Sequence, residues 1–470
     1  MGPSLAAIEP PFWAALLAGH MRERGLSVGI IDADAEDLSP PDVAKRLAHI
    51  ECTLLGVIVS GTNPSASTMS MPAAREILQQ VRLHSPKVKT FLGGLHPSAL
   101  PERTIREEPV DFVIQGEMFN TLPALFEAVK TGCNDSNLHI PGLWRMQDGG
   151  VISNPRPDLI ENLDSLPDAA WDLLPMNLYR AHNWHCFANV QERQPYAVIY
   201  TSLGCPFNCS FCCINAIFGQ AGIRYRSPER VLEEIDTLHC RYGVKNIKIM
   251  DEMFVLYPQH VRAICQGLVD RNYGLNIWAY ARIDTVADGL LGPLKAAGFN
   301  WLAYGIESGN AAVRKGVTKG RFAQSAIKDT IRRTKDAGIH IGGNFIFGLP
   351  DDNMDTMQQT LDLACELNCE YANFYSAMAY PGSRLHEMAV AEGLPLPPDW
   401  RGYAQLAAET LPLPTRHLTG QAVLKFRDYA FDYYYRRGEY LDMIKSTFGD
   451  AAVKHILAML SSKPQRHHAS

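Results

Sequence analysis

The chain has no run of eighteen uncharged apolar residues and no basic stretch leading into an apolar segment near its start. Neither a helical membrane span nor a secretory leader is therefore expected. Repeats and low-complexity tracts are missing too, apart from a polar tail, SSKPQRHHAS, expected to fray. No G-x-G-x-x-G follows a strand pattern, which removes the usual nicotinamide-binding fingerprint. Positive charge is not in excess. A net charge of −6 gives no general attraction to nucleic acid or an anionic surface. Cysteine is not scarce, but the count of eleven is odd. Those at 52, 133, 186, 213, 240, 265, 365 and 369 have no disulfide-framework spacing, so a reducing, cytoplasmic setting is expected.

What is present is length and one motif. With 470 residues, 46% of them hydrophobic, the chain can build two or three domains with full cores. The motif is Cys205, Cys209 and Cys212 in TSLGCPFNCSFCCINAIFG. C-x3-C-x2-C offers three thiolates from one loop, enough for three irons of a 4Fe-4S cluster while the fourth iron keeps an open position. Zinc ribbons use paired C-x2-C, and four-cysteine ferredoxin runs close every iron, so neither template fits. Cys213 breaks the spacing and is read as a buried thiol beside the ligands.

This triplet, with Phe211 ahead of its last cysteine, resembles the signature of the radical SAM superfamily. The resemblance implies that the open iron chelates the amino and carboxylate groups of S-adenosylmethionine, and that an electron from the cluster cleaves it to a 5′-deoxyadenosyl radical.

Upstream, apolar runs at 27–34, 52–61, 88–94 and 111–117 alternate with helical patterns near 10–24, 40–50, 69–85 and 118–130. That order predicts a parallel, doubly wound sheet, with short residues at its strand ends where a bulky ligand can approach the backbone. Residues 1–135 resemble the Rossmann-like cobalamin-binding domain fused to many radical SAM enzymes, through AIEPPFWAALLAGHMRERG, GGLHPSALPE and DFVIQGE. The resemblance implies a cobalamin site at Ser60, Gly61, Gly93, Gly94, Gly116 and Glu117. It is incomplete in two ways: there is no D-x-H-x-x-G loop to ligate cobalt from below, and no strand precedes the first helix. His96 is read as a hydrogen-bonding loop residue.

Residues 136–190 are rich in Pro, Asn and Asp and read as a connector, with a short hairpin at GLWRMQDGGVI. From 191 to 395 strands at 196–202, 245–250, 276–281, 300–306, 339–347 and 371–378 alternate with helices near 228–241, 258–271, 287–297, 323–337 and 353–367, which resembles the partial (β/α)6 barrel of radical SAM proteins. In such barrels chemistry sits at the carboxyl ends of the strands. The S-adenosylmethionine contacts implied there are Asp251 and Glu252 for the amine, Arg282 for the carboxylate unless Asp284 holds it, Glu307 and Ser308 in GIESGN, and Asn344 near the ribose. Met253, Phe254, Tyr280, Tyr304 and Tyr375 are candidate cavity walls. Residues 396–470 have helical periodicity, and their tyrosines are expected to pack on the barrel.

The whole pattern resembles cobalamin-dependent radical SAM methyltransferases, which implies one S-adenosylmethionine as methyl source, a second as radical source, and an unactivated carbon of a small molecule as acceptor. Relatives that close or oxidise rings without methyl transfer, such as the anaerobic magnesium-protoporphyrin ester cyclase, share the layout. An electron donor such as flavodoxin or ferredoxin is the expected partner.

Overall fold

The computed structural model describes residues 6–61, 67–132, 138–320, 322–461 and 465–468. An N-terminal sheet runs β1 (Leu54–Val59), β2 (Lys89–Gly94), β3 (Phe112–Ile114), β4 (Leu143–Gln147), β5 (Gly150–Ser153). The first three are parallel and the last two antiparallel. The hairpin read as part of the connector is thus the completed edge of this sheet.

The strand expected at 27–34 does not form. Leu26, Val28 and Ile30 lie partly buried against the core but join no ladder. In the 2-1-3-4-5 order of doubly wound sheets, that segment pairs with a strand ahead of the first helix. Residues 6–11 contain none, so the apolar run has no neighbour to pair with.

The second sheet has the order β13 (Tyr371–Ser376), β12 (His340–Phe347), β11 (Phe299–Glu307), β10 (Asn276–Arg282), β9 (Asn246–Ile249), β6 (Tyr196–Ile199), all parallel. Helices Pro228–Tyr242, Pro258–Arg271, Leu291–Ala296, Gln324–Asp336 and Met354–Leu367 cover its outside. Side chains alternate across each strand. The outward set is fully buried under these helices, while inward Lys248, Tyr280, Asn344, Tyr371, Asn373 and Tyr375 stay partly exposed, so the barrel has a lumen. Met253, Phe254 and Tyr304 do not line it. All three are buried in the core, and Tyr304 faces Thr334 on the outer helix, 2.8 Å away.

The amino ends of β6, β9, β10 and β13 are covered by Asn183–Asn189, where Trp184 lies 4.5 Å from Tyr371, His185 6.1 Å from Tyr196 and 3.0 Å from the Asn276 carbonyl, and Cys186 3.3 Å from Asn246. Glu9 adds a polar seal, accepting from Tyr196 at 3.1 Å and Lys248 at 2.8 Å. The C-terminal helix Gly420–Arg436 packs elsewhere, on β13. Tyr434 and Tyr435 donate to Cys369 and Ala372 carbonyls at 2.6 and 2.7 Å, and Tyr440 on the next helix donates to Glu370 at 3.0 Å. Each such buried bond contributes about 1 kcal/mol. Trp400 and Tyr403 reach back to the N-terminal sheet, joining Val59, Leu92 and Val113 in one apolar cluster. The tail is not frayed where described: Arg466 pairs with Asp428 at 2.9 Å.

Candidate functional site

The cysteine loop grows from a two-stranded ribbon, β7 (Ser202–Leu203) and β8 (Arg224–Tyr225). Gly204 has φ +97°, and a Cβ there would lie 2.4 Å from the Gly222 carbonyl, so the loop leaves the ribbon through a position that excludes side chains. Gly382 does the same from strand β13's far end. Its missing Cβ makes room for Ala216 at 2.6 Å, letting residues 380–384 close over the loop. Cys213 is buried beneath it, its thiol pushed up to about 12 by burial.

Two of the three candidate ligands differ from Cys213 in exposure. Cys209 and Cys212 are half-buried and Cys205 is buried. Burial also pushes the Cys205 thiol up to about 11 and that of Cys212 well above the usual range, so iron binding must displace their protons. Among the described residues no three His, Cys, Asp or Glu side chains converge on one metal ion.

Asp251 supports the loop instead of facing open space. It is fully buried and accepts from Thr201 N, Thr201 Oγ1 and Ser202 Oγ, each at 2.6 Å. The expectation of an open carboxylate at the end of β9 therefore falls to Glu252 alone. Glu252 Oε2 is buried with no hydrogen-bond partner, and burial raises its carboxyl to about 8. It lines a narrow cleft between the N-terminal domain and the cysteine loop. Ser60, Gly61, Ser67 and Gly94 come to that cleft from the N-terminal domain, and Ile214, Ile217 and Phe218 from the cysteine loop. An orphaned acid and short strand-end residues thus meet at one space between the domain and the loop.

The other expected cobalamin residues are placed differently. Glu117 is buried and takes both guanidinium nitrogens of Arg224, one at 3.0 Å, together with Ile160 N at 3.2 Å. It is an inter-domain tie. Gly116 packs on Pro157, and Gly93 backs onto Met118 Sδ. His96 is buried, with Nδ1 3.0 Å from Thr68 Oγ1 and its ring 4.6 Å from Trp400. It sits in the short helix Leu95–Ala99 and not in a loop. Residues 62–66 lie outside the described residues.

Around the rim, Arg282 is held by Asp284 through two bonds of 3.0 and 3.1 Å, the alternative the sequence left open. It also lies 3.5 Å from Cys209 Sγ and 3.9 Å over the Phe207 ring. Ser308 is fully buried and turned outward, 3.2 Å from Thr360 Oγ1, so it is not presented to the lumen. Asn344 is in the lumen, donating to the Tyr304 carbonyl at 3.2 Å and accepting from Asn373 at 3.0 Å. Glu307 follows a bulge in β11 at φ +66°, and its carboxylate pairs with Lys319 at 2.7 Å. Lys319 has no periodic or motif signal in the sequence, being one lysine in a glycine-flanked turn. Asp352 accepts from Gly348 N, Leu349 N and Thr356 Oγ1 and shapes its turn.

Two families match this chain: the radical SAM superfamily over residues 199–364 and the B12 binding domain over residues 2–126. It is 34% identical over 442 residues, 93% of its own length and 90% of the relative's, to an uncharacterised methyltransferase of Pyrococcus horikoshii. It is 27% identical over 393 residues, 82% of this chain and 67% of the relative, to the anaerobic magnesium-protoporphyrin IX monomethyl ester cyclase of Rubrivivax gelatinosus. The methyltransferase TsrM from Kitasatospora setae, solved with cobalamin and a [4Fe-4S] cluster, shares the fold at TM-score 0.67 and 18% identity over 82% of this chain and 72% of that one. OxsB with aqua-cobalamin does so at TM-score 0.72 and 16% identity over 97% and 70%. No helix among the described residues is long and apolar enough to cross a membrane. The chain is an enzyme that belongs to the radical SAM superfamily, in the branch whose barrel follows a B12-binding domain and whose cofactors are a 4Fe-4S cluster, S-adenosylmethionine and cobalamin.

Proposed function

We propose that this enzyme transfers a methyl group to an unactivated carbon of a small molecule held in the barrel lumen. When bound, the cluster supplies the electron that cleaves S-adenosylmethionine, and cobalamin supplies the methyl group. The chain's own residues position and shield. Cys205, Cys209 and Cys212 hold the cluster, and Arg282 presents its guanidinium beside Cys209. Glu252 offers a protonated carboxyl at the opening of the lumen, and Asn344 and Asn373 line the space below it. Ser60, Gly61 and Gly94 give the corrin an edge without bulky side chains. Trp184 and the Glu9–Lys248 pair close the lumen away from the cysteine loop, keeping water from a reactive radical.

One observation carries the reading: a single cleft is walled by the N-terminal strand ends, the cysteine loop and Glu252 together. Two cofactor regions facing one space suit a reaction in which the radical and the methyl donor act on the same carbon. A relative named for phosphonate methylation, the cytidylyl-2-hydroxyethylphosphonate methyltransferase of Streptomyces wedmorensis, is 24% identical over 432 residues, in line with a small polar acceptor. A cytoplasmic one-electron donor of the flavodoxin or ferredoxin type would reduce the cluster.

The test is anaerobic turnover of the reconstituted chain with S-adenosylmethionine and a one-electron reductant. Both 5′-deoxyadenosine and S-adenosylhomocysteine are expected. Deoxyadenosine without S-adenosylhomocysteine favours the cyclase-like outcome, and neither product overturns the proposal.

A further inference from the structure

Residues 317–320 form a strap across the cysteine loop. Ser210 N donates to the Val317 carbonyl at 3.0 Å, and Thr318 Oγ1 donates to the Asn208 carbonyl at 2.5 Å. The Thr318 carbonyl lies 4.0 Å from Cys209 Sγ, and Arg282 donates to the Lys319 carbonyl. The strap holds the Lys319 side chain at 7% relative exposure, with Nζ 2.7 Å from Glu307 and 5.9 Å from the centre of the Phe211 ring, between Cys209 and Cys212 in sequence. Its charge acts on the thiols of both Cys205 and Cys209. Burying an ammonium is costly unless it is paired, and here the partner is supplied by an L-residue kept in left-handed backbone. A strained acid and a buried base, neither accounted for by packing alone, converge on the loop that carries the cluster.

We propose that the Lys319–Glu307 pair sets the reduction potential of the cluster, Lys319 stabilising its more negative, reduced form and Glu307 opposing it. This rests on the cluster assignment made above. The step concerned is transfer of one electron from an external one-electron donor to the oxidised cluster, and no bond to Lys319 or Glu307 forms or breaks. Net charge and hydrogen bonding around a cluster are the levers by which a protein moves its potential. Lys319 and Glu307 are therefore positioning residues of opposite sign.

The experiment is an EPR-monitored redox titration of the anaerobically reconstituted full chain without S-adenosylmethionine, with iron counted in the same samples. At the potential where half the wild-type cluster is reduced, Lys319→Gln should show about a tenfold lower ratio of reduced to oxidised cluster, which is 59 mV for one electron. Lys319→Arg should restore the wild-type midpoint, and Glu307→Gln should shift it the opposite way. Wild-type midpoints in Lys319→Gln and Glu307→Gln with iron retained overturn the proposal, as do shifts of the same sign in both. If Lys319→Gln loses its iron, the midpoint of Glu307→Gln decides by its sign. Absence of iron from the wild type instead overturns the cluster assignment itself.

Discussion

Glu117 in the N-terminal domain and Arg224 on the ribbon that carries the cysteine loop form a buried ion pair, with Nη1 and Oε2 3.0 Å apart and side-chain exposures of 5% and 12%. The tie runs from the N-terminal domain to the ribbon at the base of the cysteine loop, so side chains of both domains hold the two together. Arg156, which donates to the carbonyls of Ala216 and Ile217 at 3.0 and 3.1 Å, reinforces it.

Breaking that pair leaves one charge buried alone, a loss of about 3–5 kcal/mol. Glu117→Gln or Arg224→Met should lower the thermal midpoint of the chain, and the double variant should recover part of the loss. Calorimetry on the three variants checks this, and strictly additive losses would count against a direct pair.

Cys212 and its neighbour should behave oppositely. Cys212→Ala should lose iron on reconstitution, whereas Cys213→Ala should keep it, because Cys213 is buried beside Gly382 while Cys212 is half-buried. Iron analysis distinguishes them, and iron loss on changing Cys213 would shift the ligand set by one residue.

Asp251 organises the start of the cysteine loop through three hydrogen bonds to a charged acceptor, each worth about 1.5–3 kcal/mol. Asp251→Asn should destabilise the apo chain by on the order of 2 kcal/mol and slow cluster assembly. Urea denaturation and the time course of iron uptake measure the two effects.

Glu252 makes a pH-dependent contribution of a definite sign. Its folded carboxyl is raised by burial from the ordinary 4.5 to about 8, so the unfolded chain releases that proton first and folding stability falls as pH rises between the two values. Relative to wild type, Glu252→Gln should gain stability from pH 5 to pH 8, on the order of 2 kcal/mol, and no more beyond. Thermal midpoints of the two apo proteins across that range check the trend, and a flat difference would place the carboxyl in water.

Local patterns read well where a residue's role is local. The cysteine spacing, the parallel strands of the barrel and the tyrosines that pack the C-terminal helices all follow from periodicity and ligand chemistry, and the structure contains each of them. Contacts between distant segments did not show. Glu117 looked like a ligand residue because it ends a strand, yet its partner is 107 residues away. Ser308 shares a motif with Glu307 but, as the next residue along the chain, faces the opposite side. Lys319 carries no signal in the sequence because its importance comes from a turn brought against another loop. The apolar run at 27–34 failed as a strand because pairing requires a neighbour, which composition alone does not supply.

The account stands on two cofactors sharing one cleft, and metal analysis of the anaerobically reconstituted chain tests it most directly. After incubation with iron, sulfide and hydroxocobalamin and removal of unbound material, about four irons and about one cobalt per chain are expected. Four irons without cobalt would contradict the shared cleft, and cobalt without iron would contradict the cysteine loop as its other half.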